Sequence, residues 1–332
     1  VTIHRETIMR AMLCRAYGPV DDLAMGELPS PSLAPGEVRL RVAACGVNFP
    51  DVLIVQGKYQ FKPEPPFAPG GEVSGTIVEV GAAVEGFRVG DPVIATTLWG
   101  GFAEEVVTTP DRLLHRPESM DEVTAAGFAL TYGTSYHALV QRAALAPGET
   151  VLVLGAAGGV GVAAIQIAKA LGARVIAAAG SADKLAFARE QGADETVNYS
   201  EDGYRDHLKE LTAGRGVDVV YDPVGGDLLD PSLRSMAWNG RYLVVGFASG
   251  EIPRIPANLT LLKGCSVVGV FWGQFRRNEP GLDAENFRRL FALHAEGRIS
   301  PVISATFSLE RAREALAVLS GRAAKGKVVL TV

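Results

Sequence analysis

The chain has 332 residues, 48% of them hydrophobic and 21% charged, with a net charge of -5. That length exceeds most single domains and predicts two. The acidic balance excludes nucleic acid as the main ligand, because a phosphate-tracking surface is basic. Three scattered cysteines, Cys14, Cys45 and Cys265, give no disulfide framework and no CxxC metal signature, and they fit a reducing, cytoplasmic setting. No apolar run approaches the ~18 residues of a membrane span, so no membrane partner is expected. The opening VTIHRETIMR lacks the apolar core of a signal peptide; residues 1–8 read as a leader before Met9, and no function is built on them.

From residue 9 to about 128 the chain is built of short β-like runs: EVRLRVAACGV, EVSGTIVEVG, DPVIATT and FAEEVVTTP. Turn punctuation such as APGE and VGDP separates them, which predicts a twisted antiparallel, barrel-like domain. From about 129 to 274 the rhythm becomes strand, helix, strand. Six buried-strand candidates follow: TVLVLG, ARVIAAA, ETVNY, VDVVYD, RYLVVG and SVVGVF. Helices are predicted over GVGVAAIQIAKALG, over SADKLAFAREQG with Ser181 as cap and Gly192 as stop, and over LLDPSLRSMAWNG. Apolar strands alternating with helices predict an α/β doubly wound parallel sheet of six strands, the count of a complete Rossmann fold. After about 275 the texture turns mixed, and the closing KVVLTV is expected to return to the first domain as a strand.

The turn GAAGGVG, Gly155–Gly161, holds nothing larger than valine. A strand ending at a helix N-terminus presents unpaired N–H groups and partial positive charge, and a pyrophosphate reaches them only if no side chain intervenes. Ala156, Ala157, Gly158, Gly159, Val160 and Gly161 supply that clearance, with Ala156 at the first glycine position of the usual GxGxxG. Gly158 admits the phosphates, and Gly161 lets the helix pack on the strand.

The second strand ends AAAGSADK, without the acid that usually binds the ribose 2′-hydroxyl of NAD. Gly180 and Ser181 remove repulsion toward a 2′-phosphate. Ser181 offers a hydrogen bond and Lys184 a charge, so NADPH is the expected cofactor. Tyr199 is placed to cover the adenine ribose. The rival reading, Asp183 binding a ribose, competes with its place in a first helical turn.

The whole pattern resembles the medium-chain dehydrogenase/reductase superfamily. Within it the chain resembles the zinc-free quinone oxidoreductase branch, the relatives of zeta-crystallin. The resemblance rests on ACGVNFPDVLIVQGKY, PFAPGGEVSGTIVEVGAAVEGFRVGDPV, GFALTYGTSYHAL and GAAGGVGVAAIQIAKALGA. It implies a GroES-like catalytic domain over 9–128 and 275–332 and a Rossmann domain over 129–274. Zinc-dependent members would carry Cys at Asn48, His at Gly71 and commonly Cys near Leu130, so no metal is expected here. Asp51 and Glu72 remain and read as hydrogen-bonding scaffold.

The resemblance also implies site residues. Asn48 and Tyr59 would line the substrate cleft, Asn48 bonding the cofactor ribose or a substrate oxygen, Tyr59 orienting a carbonyl or donating a proton. Thr131 and Thr134 would meet the nicotinamide end, or serve as helix caps. Val245, Gly246, Phe247 and Ala248 would close the cofactor site, together with Val270, Phe271 and Trp272. Phe271 and Trp272 read equally as core or dimer aromatics. Arg322 resembles a position that reaches the adenine phosphate, with a plain surface charge as the competing reading.

The expected activity is NADPH-dependent hydride transfer to a small electrophile, a quinone or conjugated carbonyl. The alternative is a 2-enoyl thioester or enone reductase, with Arg276 and Arg277 meeting a CoA phosphate. A non-catalytic NADPH-binding structural or regulatory protein is the alternative from another class. An edge strand SVVGVF would pair with its two-fold mate and make a homodimer.

Overall fold

The computed structural model describes residues 8–332, and the leader reading of residues 1–8 falls, apart from Ile8, outside them. The chain divides into two compact units: the described residues through Leu130 together with Ile303–Val332, and Thr131–Val302.

The first unit opens with a hairpin, β1 (Ile8–Leu13) and β2 (Ala24–Pro29). β3 (Val38–Val47) follows, then α1 (Phe49–Val55), β4 (Glu72–Val80), β5 (Pro92–Thr96), β6 (Glu105–Thr108) and β7 (Leu113–His115). In β3 the period of two is plain: Val38, Leu40 and Val42 face the core while Arg39 and Arg41 turn outward. α2 (Glu122–Ala126) lies directly on this sheet, capped by the Asp121 carboxylate, which accepts from Thr124 N–H at 2.7 Å. A Cβ on Gly46 would stand 2.0 Å from the Ala126 carbonyl oxygen, so β3 carries a bare residue where the helix end presses on it.

The second unit starts within α3 (Ala129–Tyr136), which continues as a π-helical segment over His137–Arg142. β8 (Thr150–Leu154) leads to α4 (Gly159–Ala170), β9 (Arg174–Ala179), α5 (Ala182–Glu190) and β10 (Glu195–Asn198). Next come α6 (Tyr204–Leu211), β11 (Val217–Asp222), α7 (Leu229–Arg234), β12 (Met236–Val244), α8 (Ala257–Lys263) and β13 (Ser266–Gly269). The six strands are parallel in the order β10-β9-β8-β11-β12-β13, which is the doubly wound Rossmann order. β8 is wholly buried, as a strand covered on both faces must be.

The structure changes three of the expected assignments. The helix predicted over LLDPSLRSMAWNG stops at Arg234, because Met236–Asn239 already belong to β12. α6 was not expected; it starts after Gly203, whose positive φ of 81° hides the start from a search for capping side chains. The return to the first unit, expected at 275, comes at Ile303. α9 (Trp272–Asn278) and α10 (Pro280–Ala295) stay in the second unit, where Trp272 packs on Phe287 and the Asn286 amide pairs with Gln141.

β14 (Ile303–Ser308), α11 (Ala312–Ser320) and β15 (Lys327–Thr331) complete the first unit. Its seven-stranded sheet runs β14-β15-β3-β4-β5-β7, with β6 also on β3, and the closing strand pairs antiparallel with β3.

Gly46→Ala forces a methyl into the Ala126 carbonyl. Urea unfolding is expected to show a loss of about 1–3 kcal/mol or more, the usual range for overpacking.

Candidate active site

In the second unit, β8 and β11 are neighbours that connect in opposite directions, which opens a crevice at their carboxyl ends. Gly155–Gly161 bridges β8 to α4 at that point. The positive φ of the turn, 57°, falls on Gly155, and Ala156 is fully buried with its N–H donated to the Ala178 carbonyl. The tight-turn duty expected one residue later is therefore met at Gly155. Gly161 is a packing glycine: a Cβ there would lie 2.5 Å from the Gly155 carbonyl oxygen. Gly158 is different. A Cβ there would meet only the Gly155 carbonyl oxygen at 3.4 Å, and its φ of -77° suits any residue. Nothing inside the protein needs Gly158 bare, so the clearance faces outward, over the first N–H groups of α4. An anionic pyrophosphate fits that cradle.

At the end of β9, Gly180 also has little room for a side chain. A Cβ would come within 2.9 Å of Ser200 Oγ and 3.1 Å of the Tyr199 ring. Tyr199 lies one residue past β10, tied by its N–H to the Ala179 carbonyl. Ser181 caps α5 and turns its hydroxyl onto the Asp183 carboxylate in the first turn. Lys184 sits one position further along the same turn, half-buried.

The loops after β11 and β12 are zipped together. Val245 and Gly246 N–H donate to the Asp222 carbonyl, and Ala248 N–H donates to that of Pro223. The Asp222 carboxylate accepts from Val224 N–H, Gly225 N–H and the Tyr242 hydroxyl at 2.7–2.9 Å. Burial raises the pKa of this carboxyl, and its three donors oppose the shift. Phe247 lies against Gly225. Val270 N–H bonds the Val244 carbonyl; Phe271 is half-exposed. Trp272 is buried, its indole N–H on Asp283 at 2.9 Å and its ring against Gly133, which agrees with the core reading of that residue. Thr131 is buried and Thr134 half-buried in α3. Ser135, which the sequence reading passed over, joins the Val160 carbonyl at 3.1 Å and the Tyr221 hydroxyl at 2.9 Å, so α3 braces the first turn of α4.

In the first unit, Asn48 caps α1, and Asp51 at its third position accepts the Asn48 backbone N–H at 2.7 Å. The Asn48 side chain is buried. Its Nδ2 donates to Glu72 Oε2 at 3.0 Å and to the Gly46 carbonyl at 3.2 Å. Its Oδ1 accepts from the Lys327 ammonium at 2.7 Å. Asp51 is pushed up to about 7, first by burial; the Asn48 and Gly70 N–H groups and Lys327 oppose this, while Glu72 adds to it. Tyr59 packs half-buried beside the core of this unit, with Phe61 at 5.9 Å, and burial raises its pKa with help from the charge of Asp51. Arg322 follows α11 on the surface with a φ of 55°.

Two family models match: "Alcohol dehydrogenase GroES-like domain" over residues 34–134 and "Zinc-binding dehydrogenase" over 159–287. A quinone oxidoreductase-like protein 2 homolog of Nematostella vectensis is 42% identical over 97% of this chain and 88% of its own length. The chain belongs to the quinone oxidoreductase branch of the medium-chain dehydrogenase/reductase family. A mycobacterial structure complexed with NADPH superposes with a TM-score of 0.91 at 31% identity, covering 98% of this chain and all of that one. An enoyl reductase structure, CurK, superposes with a TM-score of 0.88 at 28% identity, covering 98% and 99%. As a member of this family the chain is an oxidoreductase with a nicotinamide cofactor.

The metal-ligand positions of the zinc-dependent relatives lie outside the 159–287 match. The positions that the resemblance assigns to them hold Asn48, Gly71 and a residue near Leu130, and a Cβ on Gly71 would stand 3.0 Å from the Leu98 carbonyl oxygen. A ligand side chain at 71 therefore needs the Leu98 backbone to move. Among the described residues no three His, Cys, Asp or Glu side chains gather to hold a metal ion.

Gly158→Val is expected to keep the urea midpoint and to weaken nicotinamide nucleotide binding about tenfold or more, read by fluorescence titration. Gly161→Val is expected to lower the midpoint as well.

The raised pKa of Asp51 has a fixed sign in stability. The contribution is complete below the unfolded value near 4 and is lost as pH rises through about 7. Asp51→Asn is expected to flatten that part of the stability loss between about pH 4 and 7, read by urea unfolding across that range.

Proposed function

We propose that this chain is an NADPH-dependent quinone oxidoreductase that works without a metal ion. The observation that carries the reading is the donor set at the three ligand positions, Asn48, Gly71 and Leu130, which offers no nitrogen or sulfur ligand for zinc. An acceptor reduced here has to spread its own developing charge, as quinones and conjugated carbonyls do. NADPH, when bound, supplies a hydride; with one proton it reduces a quinone to the hydroquinone. The chain's part is to hold the two reactants and place the proton. Tyr59 is the proposed proton source at the acceptor oxygen, and its raised pKa keeps the hydroxyl protonated near neutrality. The bare start of α4 holds the pyrophosphate, and Val245–Ala248 with Val270 and Phe271 border the nicotinamide end.

The preference for NADPH over NADH rests on the end of β9. Ala179, Gly180 and Ser181 put no carboxylate there, and the closeness of Tyr199 leaves little room for one on Gly180. Ser181 and Lys184 are the proposed 2′-phosphate partners, the Ser181 hydroxyl turning from Asp183 to do so. Arg322 is the proposed further phosphate contact, and Thr131 and Thr134 the contacts from α3.

The second reading, an enone or enoyl thioester reductase, is favoured by the likeness to the CurK enoyl reductase structure. The CoA contact considered for Arg276 is weakened, because its guanidinium is bound to Asp283 at 3.1 Å and lies over the Trp272 ring at 5.0 Å. Arg277 remains exposed.

We also propose a homodimer built on β13. That strand has one neighbour, β12, and exposed Trp238, Leu261 and Leu262 lie in β12 and in α8 beside it. The three free thiols fit a cytoplasmic setting, and among the described residues no helix is long and apolar enough to cross a membrane.

NADPH oxidation measured in parallel with a quinone and with crotonyl-CoA tests the acceptor. Quinone turnover is expected to lead; faster turnover of the thioester gives the second reading, and turnover of no electrophile overturns both. Lys184→Ala is expected to cut the NADPH-to-NADH ratio of kcat/KM about tenfold or more, the worth of one charged hydrogen bond. Leu261→Asp with Leu262→Asp is expected to turn a dimer into a monomer by light scattering.

A further inference from the structure

Lys327 drew no attention as a sequence residue, being one more lysine in the closing strand. In the fold it is a buried cation, with 4% of its side chain exposed, against a fully buried Glu72. Its three ammonium protons have three acceptors: Glu72 Oε2 at 2.9 Å, Asn48 Oδ1 at 2.7 Å and the Val47 carbonyl at 3.4 Å. Glu72 also accepts the Leu130 backbone N–H on its other oxygen at 2.8 Å. Both protons of the Asn48 amide are taken by Glu72 and the Gly46 carbonyl.

A buried ion pair is a weak device for stability, because apolar side chains of the same shape commonly serve as well. This pair does something apolar side chains do not. The ammonium requires the oxygen of the Asn48 amide, and the carboxylate requires its nitrogen. Turning the amide over would set N–H groups against the cation and oxygen against the anion. Two opposite charges thus fix a group that is otherwise free to flip.

We propose that Lys327, paired with Glu72, is a positioning residue that locks the polarity of the Asn48 amide and leaves it no proton to give to a ligand. This rests on the reading that Asn48 faces the bound reactants. With both amide protons engaged by Glu72 and the Gly46 carbonyl, Asn48 has none to give to a quinone or carbonyl oxygen. The acceptor oxygen falls to Tyr59. Of the two alternatives open for Asn48, donation to a substrate oxygen is closed by a residue 279 positions away in the chain.

The test uses the full chain with Lys327→Met and Glu72→Gln combined, since Lys327→Met alone leaves a buried carboxylate unpaired and endangers folding. Thermal melting confirms that the double variant is folded. The Asn48 side-chain N–H signals are followed after selective 15N-asparagine labelling, with Asn48→Ala giving the assignment. In the wild type they are expected to be protected from hydrogen exchange, and in the double variant to exchange faster by about tenfold or more. Turnover with NADPH and a quinone is expected to lose kcat about tenfold or more, with KM for the quinone changed less than about threefold, as for a group that acts through alignment. A folded double variant with wild-type kcat, or wild-type Asn48 protons that exchange freely, overturns the proposal. If the wild type oxidises no NADPH, the functional reading fails by itself. The exchange measurement needs no turnover and still decides whether the charges lock the amide.

Discussion

The proposed function depends on one constraint: an anion must be able to touch backbone at the head of α4. β8 and β11 lie side by side at the middle of the parallel sheet, and their connections run in opposite directions. That leaves their carboxyl ends open, and the residues there decide what enters. Gly155 makes the turn, Gly161 brings the helix down on the strand, and Gly158, which nothing inside the protein crowds, leaves the approach to α4 open. The three glycines look alike in the sequence and have three different physical reasons. α3 serves the same end, because Ser135 reaches the Val160 carbonyl and steadies the first turn of α4.

The first unit answers a different problem. Members of this family that use zinc gain a charge at the reacting oxygen from a metal. Here the positions that the resemblance assigns to its ligands offer an amide, a glycine and, near Leu130, a leucine, and a Cβ on Gly71 would stand 3.0 Å from the Leu98 carbonyl oxygen. The charges at this place belong to the chain itself. Lys327 and Glu72 neutralise each other out of water, and the amide between them is oriented as a result. Asp51, with its carboxyl pushed up to about 7, sits on the edge of the same cluster.

Much of this was legible in the sequence, for reasons that can be stated. The central strands of the parallel sheet announced themselves because a strand covered on both faces is apolar throughout, as TVLVL in β8 and VIAAA in β9 are, each followed by glycine. The turn from β8 to α4 was legible because small residues between an apolar strand and a helical pattern mark such a junction. Local pattern failed where long-range contact decides. MAWNG reads as the tail of a helix, yet its first residues pair beside Val217 in β11. Residues 275–302 were assigned to the first unit on texture, whereas Trp272, Phe287 and Asn286 hold them to the second. Glu72 was seen only as scaffold because its cation lies 255 residues downstream, and no spacing rule spans that distance. The crowding of Tyr199 on Gly180 was hidden for the same reason.

The most direct test of the account is a crystal structure of the full chain with NADPH. The account predicts the pyrophosphate on the N–H groups at Gly158–Val160 and the 2′-phosphate between Ser181 and Lys184. A nucleotide bound away from the head of α4, or a 2′-phosphate pointing into solvent with no contact to Ser181 or Lys184, would contradict it.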